Sequence, residues 1–197
     1  MKEDILGIIL ILLVIFISYK IYRESDFFNL KCIISDVDGN KYCVREEREN
    51  KKEASNLLAK IVSKINKLIE HLKLNFSEEE RAKRIIKNYN PNKMVETLPN
   101  SEYTAYSENK GRKIALCLNV DKENNSNLID ENTLTFVALH EISHLSTIST
   151  GHKKEFWDNF KFILEESNKI NIINLEDYKN KNVKYCGMTI ESNPVFN

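Results

Sequence analysis

Leu134-Thr135-Phe136-Val137-Ala138-Leu139-His140-Glu141-Ile142-Ser143-His144-Leu145-Ser146-Thr147-Ile148-Ser149-Thr150-Gly151-His152 is the stretch whose reading decides the fold. Leu134, Phe136, Val137, Leu139, Ile142, Leu145 and Ile148 cover most of the circumference of a helix, the pattern of a helix buried in a small domain. Positions i and i+4 share a helix face, so His140 and His144 can direct their imidazoles at one point. Glu141 lies about 100° further round and flanks that point instead of meeting it. Two imidazoles at this spacing suit a zinc ion with Zn–N bonds of roughly 2.0–2.1 Å, and the Glu between them is placed to take a proton from a zinc-activated water and pass it to a leaving amine. The chemistry implied is hydrolysis of a peptide bond.

A third protein ligand is needed, with a fourth position left open. His152 is the favoured residue. On a continuous helix it would stand about 12 Å beyond His144, so the chain must turn back in between. Thr147-Ile148-Ser149-Thr150-Gly151 supplies that turn: β-branched and hydroxyl residues weaken the helix, and Gly151 accepts a left-handed conformation. The metzincin spacing would put the third His at position 150, which is Thr150. A gluzincin pattern would use Glu165 or Glu166 on the next helix.

Outward from this centre, Asp130 or Asn132 is placed to cap the metal-binding helix. Phe156, Trp157, Phe160, Ile163 and Leu164 predict a further helix from about Lys153 to Lys169, its aromatic stripe steadying His152. Glu102 to Asn119 reads as two strands about an Asn109-Lys110-Gly111 turn, the second of them, Lys113–Asn119, bordering a substrate cleft. Ala54, Leu57, Leu58, Ile61, Val62, Ile65, Leu68, Ile69 and Leu72 make a long amphipathic helix of residues 49–73. Ser77-Glu78-Glu79-Glu80 predicts a capping box that opens a second helix, ending before Asn90-Pro91. Lys31–Ser35 and Lys41–Arg45 flank Asp36-Val37-Asp38-Gly39-Asn40 as a hairpin; Gly39 is out of place for a calcium loop, so turn chemistry accounts for the acids. Tyr185–Ile190 reads as one strand-like run, and Met188 is a candidate for a place beneath the metal.

Lysine plus arginine equals aspartate plus glutamate, 29 each, so no overall charge points to nucleic acid. Ile5 to Tyr19 is almost unbroken hydrocarbon, and with Lys20 snorkelling the apolar stretch Ile5–Tyr22 is long enough to span a bilayer of about 30 Å. Met1-Lys2-Glu3-Asp4 carries no net positive side chain and no small-x-small pattern follows, which favours an uncleaved anchor over a signal peptide. Lys20, Arg23 and Lys31 against Lys2 and the α-amino group slightly favour a cytosolic domain, as would free thiols at Cys32, Cys43, Cys117 and Cys186, although Cys32 and Cys43 could also pair across their hairpin. In that orientation the sequons Asn75-Phe76-Ser77 and Asn124-Asn125-Ser126 carry no meaning.

His140-Glu141-x-x-His144, the Gly151-His152 pair and the following Phe156-Trp157 together resemble the WLM and SprT-like zinc metallopeptidases, and also the small membrane-anchored versions that large DNA viruses encode. The resemblance covers about Leu134 to Phe160. It implies that His140, His144 and His152 bind one zinc ion and that Glu141 is the catalytic base. The resulting expectation is an α+β, zincin-like chain. Residues 1–24 form the anchor, 25–48 a hairpin and linker, and 49–197 the metallopeptidase domain. It would act on a peptide or protein substrate at a viral or host membrane, with Tyr103, Tyr106 or Tyr185 available to the oxyanion. The contrasting expectations are a membrane-tethered binding protein that zinc merely staples, and a DNA-associated protease of crosslinked proteins. The neutral charge and the anchor speak against the second.

Overall fold

The computed structural model describes residues 2–196, with side chains from residue 5 onward. α1 (Lys2–Glu24) stands free of the domain, with Ile5 through Tyr22 exposed on every face; it is long and apolar enough to cross a membrane. Its C-terminal carbonyls are met by the domain. Asn29 Nδ2 donates to Tyr22 O (2.9 Å) and Ser25 O (2.8 Å), and Asn100 Nδ2 donates to Arg23 O (2.9 Å). A short helix α2 (Asp26–Asn29) follows, with Asp26 2.7 Å from Lys113 Nζ.

β1 (Leu30–Ile34) and β2 (Lys41–Arg45) form the expected antiparallel hairpin, and Asp38 serves the turn, accepting from Asn40 N and Tyr42 Oη. The hairpin is fastened to the domain from inside. Arg48, fully buried, grips Glu96 with Nη2 (2.5 Å) and Nε (3.1 Å), and buried Arg45 donates its backbone N–H to the same carboxylate (2.8 Å). Two guanidinium groups in the interior are tolerable because each finds a carboxylate, carbonyl or amide oxygen, Asn119 and Thr97 included.

α3 (Lys51–Asn75) buries the whole apolar stripe read from the sequence, Ala54 to Leu72. Burying each Leu or Ile there stabilises the fold by about 1.5–3 kcal/mol. α4 (Glu80–Asn88) begins later than the capping box predicts, and Ser77 caps nothing. The Phe76 ring is held against Phe162 (5.1 Å), so the chain first turns, with Glu79 N donating to Phe76 O, before the helix can start.

A 3-10 turn at Pro91–Lys93 leads to β3 (Met94–Glu96), then β4 (Ala105–Glu108) and β5 (Lys113–Leu116). The sheet order is β3-β5-β4, with β3 parallel and β4 antiparallel to β5. This corrects the expectation for Lys113–Asn119: β5 is the central strand and β4 is the edge. The turn between them takes positive φ at Asn109 (45°), Lys110 (55°) and Gly111 (105°). Only glycine fits the last position, since a Cβ would lie 2.7 Å from Asn88 O and 2.9 Å from Leu145 Cδ2.

α5 (Glu131–Ser146) and α6 (Lys154–Lys169) pack on each other, and α5 also meets α3, α4 and β4, so the decisive helix is the centre of the molecule. The tail run is broken in two. β6 (Val183–Tyr185) and β7 (Met188–Ile190) form a hairpin because Cys186 (φ 51°) and Gly187 (φ 78°) make a two-residue turn of left-handed residues. All four cysteines are paired, Cys32 with Cys43 across β1–β2 and Cys117 with Cys186, which corrects the free-thiol expectation. The physical reason is proximity: β1 and β2 put Cys32 directly opposite Cys43, and the tail hairpin docks beside the end of β5. The second bridge closes a loop of 69 residues, a constraint on the unfolded chain of about 4 kcal/mol.

Candidate metal centre and cleft

Asp130 starts α5 by accepting Thr133 N–H on its side chain (2.9 Å). The helix ends where Ser143 and Thr147 turn their hydroxyls back on the carbonyls of Leu139 (2.7 Å) and Ser143 (2.8 Å). Between those ends His140 and His144 share one face, 5.2 Å apart by ring centroid. The chain then leaves the helix, passes Gly151 at φ 75° and brings His152 back. Its ring lies 4.9 Å from His140 and 5.1 Å from His144.

One nitrogen from each ring falls within 4.8 Å of the others, and the Nε2 atoms of His140 and His152 are 3.0 Å apart. Two nitrogens bound to one tetrahedral zinc lie roughly 3.3–3.4 Å apart, close to the separation of His140 and His152. Burial, reinforced by the neighbouring imidazoles, holds His140 down to about 3, and burial with His152 and Lys110 nearby holds His144 to about 4; burial lowers His152 as well. All three are therefore neutral at physiological pH, as metal ligation requires. The donor set of three imidazoles is one that zinc takes in open sites.

Glu141 is 4% exposed and its Oε2 has no hydrogen-bond partner among the described residues. Burial alone pushes its carboxyl up to about 8. An orphan carboxyl oxygen beside three neutral imidazoles fits a neighbouring cation and a water, and a cation there would draw the proton off Glu141. Glu165 and Glu166 are elsewhere: Glu166 pairs with His71 (2.9 Å) and Lys169 (2.5 Å).

The residues that hold this arrangement come from every side. Phe156, fully buried, lies 4.8, 4.5 and 4.6 Å from the rings of His140, His144 and His152, a shared floor for all three. Trp157 Nε1 donates to His152 O (3.1 Å). The returning loop is pinned by Glu155, whose carboxylate accepts Ile148 N–H (2.9 Å) and Ser149 N–H (3.1 Å), bonds that draw its pKa down to about 2. Lys110 Nζ donates to Thr147 O (2.7 Å), Arg84 Nε to Ser146 O (2.6 Å), and Asn159 Nδ2 to Thr147 Oγ1 (3.1 Å). Sequence reasoning missed these four residues. Glu155 carries a signal, being an acid in the first turn of α6, whereas the sequence marks Lys110 only as a turn residue.

The imidazoles separate two cavities. One, of about 460 Å³, runs between β4 and the tail hairpin and is lined by Phe136, Trp157, Phe160, Met188 and Ile190; the other, of about 550 Å³, is bounded by Tyr103, Tyr106, Lys110 and Gly151. His140, Glu141 and His152 face both. Met188 is a wall of the cleft, half exposed, its sulfur accepting from Thr104 Oγ1 (3.3 Å), so it does not lie beneath the imidazoles. Tyr185 is buried and spent on the backbone, accepting Cys117 N–H (3.0 Å) and donating to Thr104 O (3.3 Å). Tyr103 and Tyr106 line the second cavity. The Cys117 N–H to Thr104 O bond sets the ladder phase, which leaves the N–H groups of Ala105 and Ser107 on the free edge of β4, and both residues line the second cavity.

No family model matches the chain. In fold it is similar to Wss1 from Saccharomyces cerevisiae, with a TM-score of 0.50 at 23% identity over 64% of this chain and 86% of that one. A mutant of the same yeast protein gives 0.51 at 19% identity, over 64% and 87%. Protein 136R of invertebrate iridescent virus 6 is 32% identical over 83 residues, 42% of this chain and 46% of that protein. Protein R325 of Acanthamoeba polyphaga mimivirus is 30% identical over 188 residues, 93% of this chain and 91% of R325. Kinship along nearly the whole length of both proteins shows that the chain belongs to the viral protein family of R325.

Proposed function

We propose that the chain is a membrane-anchored zinc endopeptidase, with one ion held by His140, His144 and His152. The observation that carries this reading is the buried Glu141 carboxyl, its Oε2 without a partner among the described residues, beside three converging imidazoles at the junction of two cavities. When bound, zinc supplies a Lewis acid that acidifies a water and polarises a carbonyl. Glu141 accepts the proton of the attacking water and delivers it to the departing amine. The free edge of β4 offers the Ala105 and Ser107 N–H groups to an extended peptide, which explains why a substrate would be held mainly by its backbone. The apolar walls at Phe136, Trp157 and Ile190 then take a side chain from one side of the scissile bond. The WLM and SprT-like resemblance and the likeness to Wss1 support the same assignment.

Anchoring is supported by the exposed apolar α1 and by the aromatic residues Tyr19, Tyr22, Phe27 and Phe28 gathered at its C-terminal end, the composition of a membrane interface. Metal analysis of the full chain in detergent tests the centre. About one zinc per chain is expected, lost in His152→Ala; an unchanged zinc content in that variant would remove the three-His site.

A further inference from the structure

We propose that α1 leaves the domain on the oxidising, non-cytosolic side of its membrane, and that Asn124 is there an acceptor for an N-linked glycan. The inference rests on the reading of Ile5–Tyr22 as an anchor and on an independent observation, the cysteines. Four cysteines from separate parts of the chain form two bridges, and none is left over. Bridges of this structural kind persist where glutathione and thioredoxin do not reduce them. One is fully buried and holds up a wall of the cleft: Cys186 sits in the turn of the hairpin that carries Met188 and Ile190, and Tyr185 beside it fixes Thr104 at the entry to β4. A reduced Cys117–Cys186 pair would free the hairpin that shapes the substrate cavity. Against this stands only the slight excess of Lys20, Arg23 and Lys31 over the positive groups before the span, a small bias in a rule of charge counting.

On that side of the membrane the two sequons acquire meaning. Asn124 lies in the exposed loop between β5 and α5; its Oδ1 accepts Ser126 N–H (3.0 Å), while its Nδ2 donates to no group among the described residues. The loop lines neither cavity beside the imidazoles, so a glycan there would leave the cleft open. Asn75 is less suited, because its Nδ2 is committed to His71 O (2.9 Å) at the end of α3.

The test uses the full chain expressed in a eukaryotic cell. Wild type should show a mobility step that peptide-N-glycosidase removes and that Asn124→Gln and Ser126→Ala each lose. A maleimide polymer should label no thiol before reduction and all four after it. An Asn124→Gln variant that migrates like wild type, or four thiols labelled without reduction, would overturn the proposal. Carbonate extraction separates the two readings: release of a glycosylated chain from the membrane refutes the anchor while the glycan still reports the side.

Discussion

The Phe156 ring lies 4.5 Å from the His144 imidazole, centroid to centroid, and within 4.8 Å of the rings of His140 and His152. One buried side chain therefore sets the spacing of three imidazoles. Phe156→Ala should destabilise the fold by about 3–5 kcal/mol, since it empties a site with no exposure. Phe156→Leu keeps most of the volume but loses the flat floor, and zinc affinity should fall roughly 10–100-fold. Chelator competition on the two proteins checks this.

Glu155 holds the loop that returns His152 through two backbone N–H groups, those of Ile148 and Ser149. As a positioning residue it should show itself in the metal and not in the fold. Glu155→Gln, which keeps one acceptor oxygen, should weaken zinc binding roughly tenfold, within the range for residues that orient a ligand. Its melting temperature in the presence of excess zinc should match wild type. Equal zinc affinity in the two proteins would dismiss this role.

Stability of the zinc-stripped protein should pass through a maximum near neutral pH. His140 and His144 have folded pKa values of about 3 and 4, below their ordinary value, so between there and about 6.5 the unfolded chain binds more protons and stability rises with pH. Glu141 is shifted the other way, to about 8. From its ordinary value up to about 8 the folded state holds the proton that the unfolded state has lost, so this contribution falls as pH rises. Two histidines outweigh one carboxyl on the acid side, and Glu141 acts alone above about 6.5. Thermal melts in chelator at several pH values should show this peak, and Glu141→Gln should remove the alkaline decline.

The edge of β4 is open to test by removing a single donor. Ser107→Pro deletes an N–H on the free edge without touching the ladder to β5. Loss of one backbone hydrogen bond to substrate, about 0.5–1.5 kcal/mol, should raise KM several-fold. Bound zinc should stay at the wild-type level. A KM unchanged from wild type would mean that substrate does not run along this strand.

Much of this arrangement is legible from residue order alone, and the limit of legibility is physical. The helix around His140 and His144, the return at Gly151 and the Lys154–Lys169 helix are local consequences of periodicity, capping and turn chemistry. The stripe from Ala54 to Leu72 is equally local. What sequence could not supply depends on distant partners. β3 pairs in parallel with β5, and its buried Glu96 is held by Arg45 and Arg48 from a hairpin some fifty residues earlier. Lys110 and Arg84 reach the His152 loop from 37 and 62 residues away. The Cys117–Cys186 bridge spans 69 residues with no spacing signal to announce it, and the tail run conceals its turn because Cys186 is an unusual residue for positive φ. The capping box at Ser77 failed for the same reason, the packing of Phe76 on Phe162.

The central claim is that Glu141 moves the proton in peptide hydrolysis. Its most direct test is cleavage of an unfolded protein such as casein by the full-length wild type and by Glu141→Gln, with zinc measured in both. The expected result is about one zinc in each protein and cleavage by wild type alone, with kcat in the variant reduced at least about 10²-fold. Cleavage by Glu141→Gln at the wild-type rate would contradict the account.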